Sequence, residues 1–185
     1  MVVKQLVTAE DLWELPETRG VRYELAGGEL IEVPGAGAVH GLIAKRVLKF
    51  LDTAAQLGDL GEAFGDGVGY ILRRHPDLLR IPDASFVSWA RIPDRRIPEG
   101  FWTLAPDLAV EIVSPNDRAD DINDKVHEYL EAGTRLVWVF WPRRRAVMVY
   151  EPDQPIRELG PDEFLEGGDV LPGFRVRVAE FFAIA

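Results

Sequence analysis

Between Pro106 and Trp141 the spacing of apolar residues changes twice, and nothing else in the chain restricts the fold as strongly. Leu108 to Val113 and Leu136 to Trp141 are short apolar runs, while Ile122, Val126, Tyr129 and Leu130 between them recur at helical spacing. A strand, a helix and a second strand in this order read as an α/β crossover. The second run, Leu136-Val-Trp-Val-Phe-Trp141, is apolar on both faces, as expected of a central strand covered on either side. Gly133 is a natural stop for the helix, and Ser114-Pro-Asn-Asp117 a natural start: a capping hydroxyl, a proline at a first helical position and an acid in the first turn.

The first strand carries charge where a buried strand should not. Alternation places Asp107, Ala109, Glu111 and Val113 on one face and Leu108, Val110 and Ile112 on the other. An ionised Glu111 in mid-strand is costly unless a cation or hydrogen-bond donors meet it. On the helical wheel Lys125 falls beside the buried stripe, near Tyr129, whereas Asp124 and Glu128 point further away. Lys125 therefore reaches over the sheet on which its helix packs, and in open α/β sheets the functional crevice lies at strand ends and helix starts.

The remaining segments surround this unit. Thr8-Ala-Glu-Asp11 is a capping-box variant that opens a short helix ending before Pro16. Val21 to Leu25 and Glu29 to Val33 flank Gly27 and Gly28 and form a hairpin. Val39, Ile43, Val47 and Leu51 mark an amphipathic helix over 38–57, with His40 in its first turn. Short strands are expected at 61–64 and 68–72, and Leu79 to Val87 reads as a strand interrupted at Pro82-Asp83. Residues 90–105 form a long loop anchored by Phe101-Trp102; Ala146 to Tyr150 pairs back as a hairpin, and Phe174 to Val178 alternates as a strand before a short terminal helix. At 185 residues the chain is expected to be one domain, 1–185. Its class is α/β (α+β), a central mixed sheet flanked by helices, with an N-terminal hairpin and a C-terminal β extension.

Composition removes several chemistries. With no cysteine, disulfides, thiolate catalysis and cysteine-ligated zinc are excluded, and any metal must sit on oxygen ligands or on one of three histidines. A net charge of −10 argues against binding nucleic acid by overall attraction. If DNA binds, Arg73-Arg74, Arg91 with Arg95-Arg96, and Arg143 to Arg145 are the first candidates to touch phosphates. Seventeen arginines against four lysines, with few Asn, Gln and Met, fit a thermophilic or high-GC source. No apolar run approaches the roughly 20 residues that span a bilayer, and the N-terminus has no basic region followed by an apolar one. A cytoplasmic protein without membrane association is expected.

Asp83 and Glu111, on neighbouring strands, can clamp one hard divalent cation such as Mg²⁺ or Mn²⁺. Such an ion stabilises charge on a phosphate and acidifies a bound water, and a nearby lysine can orient that water. Each residue also has a plainer reading. Asp83 can cap a turn after Pro82, Glu111 can pair with Arg118, Lys125 can pair with Asp121 one turn away, and Asp107 can cap the strand entrance. Glu24 is either a strand-edge charge or a third carboxylate completing the site, and His40 either a hydrogen-bonding histidine or a ligand.

Pro82-Asp83, Glu111 after 27 intervening residues, and then a lysine resemble the PD-(D/E)XK nuclease superfamily. Tyr23-Glu-Leu-Ala-Gly-Gly-Glu-Leu30, His40, Pro82 to Val87, Pro106 to Pro115, Lys125 with Tyr129 and Ala132-Gly133, and Trp138 are together similar to the Uma-two family of restriction endonucleases. The likeness runs from about Thr8 to Phe182. It implies the restriction endonuclease-like fold, a metal-binding Asp83, and Glu111 as the acid of the second motif. Val113 stands where the superfamily pattern has lysine, and the resemblance implies a lysine migrated to the following helix, which is Lys125. The expected activity is a Mg²⁺- or Mn²⁺-dependent endonuclease acting on DNA. The alternatives are a non-catalytic nucleic-acid-binding or regulatory module and a hydrolase of small phosphoesters. The Trp-rich C-terminal half offers a surface for a homodimer, and the negative charge is compatible with a protein partner that supplies DNA binding.

Overall fold

The computed structural model describes residues 6–16, 21–115 and 117–183. Thr8 caps α1 (Ala9–Glu14): its hydroxyl accepts the Asp11 N–H, and the Asp11 carboxylate accepts the Thr8 N–H at 2.9 Å. β1 (Arg22–Ala26) and β2 (Glu29–Val33) form the expected hairpin, with Gly27 and Gly28 both at positive φ, where only glycine sits without strain. α2 (Ala38–Gly58) buries Ile43, Val47, Leu51 and Ala55. Val39 does not join that stripe; it is half exposed and lines a surface pocket beside Pro142 and Phe182.

β3 (Gly61–Gly65) and β4 (Tyr70–Arg73) follow at the expected places. The run from Leu79 to Val87 is two strands in two sheets, β5 (Leu78–Arg80) and β6 (Ala84–Ser88). The change of sheet occurs at Ile81-Pro82-Asp83, where proline lacks the donor a continuous ladder needs. The long loop contains two 3₁₀ turns, Trp89–Arg91 and Pro93–Arg95. Trp102 anchors it by exchanging backbone hydrogen bonds with Gly69 and Ile71.

β7 (Leu108–Ile112), α3 (Ala119–Glu131) and β8 (Leu136–Trp141) are the crossover: β7 and β8 pair in parallel from Leu108 opposite Leu136 to Ile112 opposite Phe140. α3 starts later than the Ser114-Pro-Asn-Asp117 signal implies, with Arg118 at its N-cap position. The Asp117 carboxylate accepts the Ser114 N–H at 2.7 Å and so closes a separate turn instead of entering the helix; Asn116 lies outside the described residues. Gly133, at φ 97°, terminates the helix as expected.

β9 (Ala146–Tyr150) and β10 (Arg157–Leu159) extend the sheet, while β11 (Phe164–Gly167) and β12 (Leu171–Arg177) form the C-terminal two-stranded extension. Val178 begins α4 (Val178–Phe181) instead of ending the strand. The six-stranded sheet runs β10-β9-β8-β7-β6-β3, with β7–β8 parallel and its other pairs antiparallel; a four-stranded sheet runs β2-β1-β5-β4. This is a mixed α+β architecture, a central mixed sheet flanked by helices.

Both faces of the six-stranded sheet are covered. Leu108, Val110, Ile112, Trp138 and Phe140 pack with α2, α4 and β12; Ala109, Val137 and Val139 pack with Ile122, Val126 and Tyr129 of α3. Each large side chain fully buried here contributes about 1.5–3 kcal/mol. Trp138 is among them, so it belongs to the core and offers no dimer surface. Among the described residues no helix is long and apolar enough to cross a membrane.

Candidate functional site

A cavity of about 710 Å³ opens where β7 ends and α3 begins. Glu24 from β1, His40 from the first turn of α2, Asp83 from the β5–β6 break, Glu111 from β7 and Lys125 from α3 all line it. Asp83 and Glu111 therefore face one space, although 27 residues separate them in the chain.

The break in the strand is what frees Asp83. Its N–H still pairs with the Val110 carbonyl at 2.9 Å, while Oδ2 accepts the Ile112 N–H at 2.7 Å and lies 3.2 Å from His40 Nε2. Both side-chain contacts engage Oδ2, which leaves Oδ1 for a ligand. Burial lowers the His40 imidazole, but hydrogen bonding and charge from Asp83, with smaller contributions from Asp66 and Asp117, hold it above the usual histidine range.

Glu111 is 5% exposed. Its Oε1 accepts the Tyr129 hydroxyl at 2.8 Å, and Oε2 lies 3.5 Å from Lys125 Nζ. Burial pushes its carboxyl up to about 7; Lys125 pulls down, and the negative charges of Asp83 and Glu24 push up again. Glu24 is buried as deeply but better supplied: Ile81 N–H at 3.0 Å and Lys125 Nζ at 3.0 Å meet one oxygen, and an Arg80 nitrogen at 2.9 Å meets the other. Burial raises it, yet Lys125 and then Arg80 outweigh burial and hold it below the ordinary carboxylate range. Two neighbouring acids are thus driven apart, one firmly ionised and one near neutrality. Burial lowers the Lys125 amine, but Glu111 and then Glu24 more than compensate and hold it above its usual value.

Two plainer pairings expected from the sequence are replaced. Lys125 meets Glu24 and Glu111, not Asp121, and Glu111 meets Tyr129 and Lys125, not Arg118. Glu128 does not point away from the site; three residues after Lys125 it is a helical neighbour, and its carboxylate takes two hydrogen bonds from Arg80, at 2.6 and 3.0 Å. Arg80 is the site residue that sequence reasoning missed. Its signal was a lone arginine inside Leu78-Leu-Arg-Ile, a cation that needs a partner if the strand is buried. Asp107 is at the other end of β7, accepting the Ser88 N–H at 2.8 Å and lying 3.3 Å from Arg91. Of the arginines picked out as phosphate contacts, Arg74 is paired with Glu10 and Asp77, Arg95 is paired with Asp59, and none of the set lines this cavity.

The donor set suits a hard cation. Asp83 and Glu111 offer oxygens; burial is the main cause of the raised Glu111 carboxyl, and the Asp83 charge that adds to it is what a divalent ion would relieve. Among the described residues no three or more His, Asp or Glu side chains are gathered to hold a metal. Mg²⁺ is usually held by one or two carboxylates completed by water and substrate phosphate, and Asp83 and Glu111 are two carboxylates that line one cavity. The mouth is acidic: the exposed Asp66, Asp117, Asp121 and Asp124 line it, and Arg22, which also lines the cavity, is paired with Asp66.

Against protein families, the model described as "Putative restriction endonuclease" (Uma2) matches residues 9–179. Among solved structures the fold is similar to that of "a putative nuclease belonging to DUF820 from Anabaena variabilis ATCC 29413", with a TM-score of 0.81 and 24% identity over 95% of this chain and 97% of that one. No curated protein matches.

Proposed function

The chain belongs to the Uma2 family, and from that premise we propose that it is a metal-dependent endonuclease that hydrolyses phosphodiester bonds of DNA in the cavity at the end of β7. The observation that carries this reading is the position of Lys125 Nζ, 3.0 Å from Glu24 and 3.5 Å from Glu111, in a cavity that Asp83 also lines. Two acids and an amine around one phosphate are sufficient equipment for cutting a phosphodiester.

Asp83 and Glu111 would hold a divalent cation such as Mg²⁺ or Mn²⁺, which would supply positive charge for the phosphate and acidify a water. The chain's own residues do the rest. Lys125, held within 3.0 Å of Glu24 and 3.5 Å of Glu111, acts as a cationic donor that orients the attacking water and stabilises charge on the phosphate. Glu24, already met by three donors, anchors Lys125 and has little capacity left for a cation. Tyr129 fixes one oxygen of Glu111, and His40 fixes the rotamer of Asp83. Val113 packs in the apolar cluster under α3, so the lysine that the superfamily pattern places there is replaced from the helix above.

The acidic mouth favours a second reading, hydrolysis of a small phosphodiester that carries less negative charge than DNA. A plasmid-nicking assay with Mg²⁺ or Mn²⁺, run beside a panel of chromogenic phosphodiesters, tests both. Metal-dependent nicking by the wild type that Glu111→Ala and Lys125→Ala lose by at least about 100-fold supports the endonuclease. Cleavage of the small esters alone supports the second reading, and equal nicking by wild type and Glu111→Ala removes the proposal.

A further inference from the structure

Arg80 is buried, at 7% exposure, and the chemistry above gives it no part. Its Nε and Nη2 donate to the two oxygens of Glu128 at 2.6 and 3.0 Å, and its Nη1 donates to Glu24 Oε2 at 2.9 Å. The other oxygen of Glu24 takes Lys125 Nζ at 3.0 Å, and Lys125 continues to Glu111 at 3.5 Å. Charge therefore alternates along one chain of contacts: Glu128, Arg80, Glu24, Lys125, Glu111.

The members come from three places. Glu128 and Lys125 are on α3, Arg80 and Glu24 on the four-stranded sheet, and Glu111 on the six-stranded sheet. The reach of Lys125 toward Glu111 thus depends on how α3 is tied to a sheet that does not contain Glu111. Two buried anions, Glu24 and Glu111, compete for one ammonium. We propose that Arg80 is a positioning residue for the nuclease reaction: by meeting half of Glu24 and locking Glu128 with its planar fork, it keeps Lys125 shared between Glu24 and Glu111. This rests on the nuclease reading of the site. A lysine at position 80 presents no such fork, because an ammonium is a point charge that cannot hold both oxygens of one carboxylate and one of another in fixed directions.

The test has a structural and a kinetic arm. In crystal structures of the wild-type and Arg80→Gln proteins, Lys125 Nζ withdraws toward Glu24 and its distance to Glu111 passes beyond the ion-pair limit of about 4 Å. In nicking assays Arg80→Gln lowers kcat by about 10–100-fold, while KM and calorimetric Mn²⁺ affinity stay within a few-fold of wild type, because Asp83 and Glu111 are untouched. Guanidinium ion at millimolar concentration restores part of the kcat of Arg80→Ala, which repair of a merely misfolded protein would not do. Glu128→Gln, a milder change should Arg80→Gln fail to fold, moves kcat and the Lys125 to Glu111 distance in the same direction by less. Lys125 unmoved in these variants, or a loss confined to KM or Mn²⁺ affinity, overturns the role of Arg80. A wild type that cuts no substrate sinks the nuclease reading instead, and the two crystal structures still decide whether Arg80 sets the position of Lys125.

Discussion

Tyr129 donates its hydroxyl proton to Glu111 Oε1 at 2.8 Å, one helical turn after Lys125 approaches Oε2 of the same carboxylate at 3.5 Å. One face of α3 thus grips both oxygens of a single strand residue. Tyr129 is fully buried, and Tyr129→Phe removes the hydroxyl without changing the ring. The variant should lose about 1–3 kcal/mol of stability, because Glu111 is left short of a donor. Activity and Mn²⁺ affinity should fall together by about 10–100-fold, since an unpinned carboxylate is a poorer ligand. Urea melts and calorimetry on the same preparation check both; wild-type Mn²⁺ affinity in Tyr129→Phe would mean that the hydroxyl is purely structural.

Glu111 sets the pH dependence. Burial pushes its carboxyl in the folded protein up to about 7, from the ordinary 4.5. Between those values the folded protein holds a proton that the unfolded chain has released, so stability from this group is full below about 4.5 and is lost as pH rises to about 7. Glu111→Gln should remove this fall, gaining on the order of 3 kcal/mol over wild type between pH 4.5 and pH 8 without metal. Metal binding needs the ionised form, so Mn²⁺ affinity and nicking should climb about tenfold per pH unit below 7 and level off above it. Chemical melts at the two pH values and a pH series of Mn²⁺ titrations provide the check, and an affinity flat from pH 5 to 8 would contradict it.

The crossover could be read in the sequence because period-2 and period-3.6 patterns meet there with clear stops, and Glu111 and Lys125 because a charge among apolar neighbours asks for a partner. The start of α3 departs from the sequence pattern for a local reason: Asp117 can begin a helix or close a turn onto Ser114, and the residues alone do not choose. The split between β5 and β6 was only half visible, as Pro82 signals an interruption but not a change of sheet. Arg80 escaped because its partners are 48 and 56 residues away, one on a helix and one on another strand, and no local pattern joins them.

Glu24 should be the most costly of the site residues to truncate. It is 1% exposed and lies between Arg80 and Lys125, so Glu24→Ala takes a shared carboxylate from a buried guanidinium and a partly buried ammonium. Breaking a buried pair from one side costs about 3–5 kcal/mol. Glu24→Gln keeps an oxygen for one cation and should cost about half as much while still reducing cleavage. Denaturation midpoints of the two variants test the ordering, and Glu24→Ala as stable as wild type would show that the network adds no stability.

The acidic mouth makes the last prediction. Asp121 and Asp124 are exposed, line the cavity and touch neither Lys125 nor Glu111, so their effect on an incoming phosphate chain acts through the field alone. Repulsion of this kind slows encounter and weakens binding without changing the chemical step. The double substitution Asp121→Asn with Asp124→Asn should lower KM for DNA by about 3–10-fold at 20 mM salt and leave kcat unchanged. At 0.3 M salt the gain should shrink toward nothing, because screening then acts within a few ångströms. Uncharged small phosphotriesters feel no such field, and their binding should not respond to the substitution at either salt concentration. An equal gain at both concentrations, or a gain in kcat, would mean that these acids act by shape or by direct contact and not by charge.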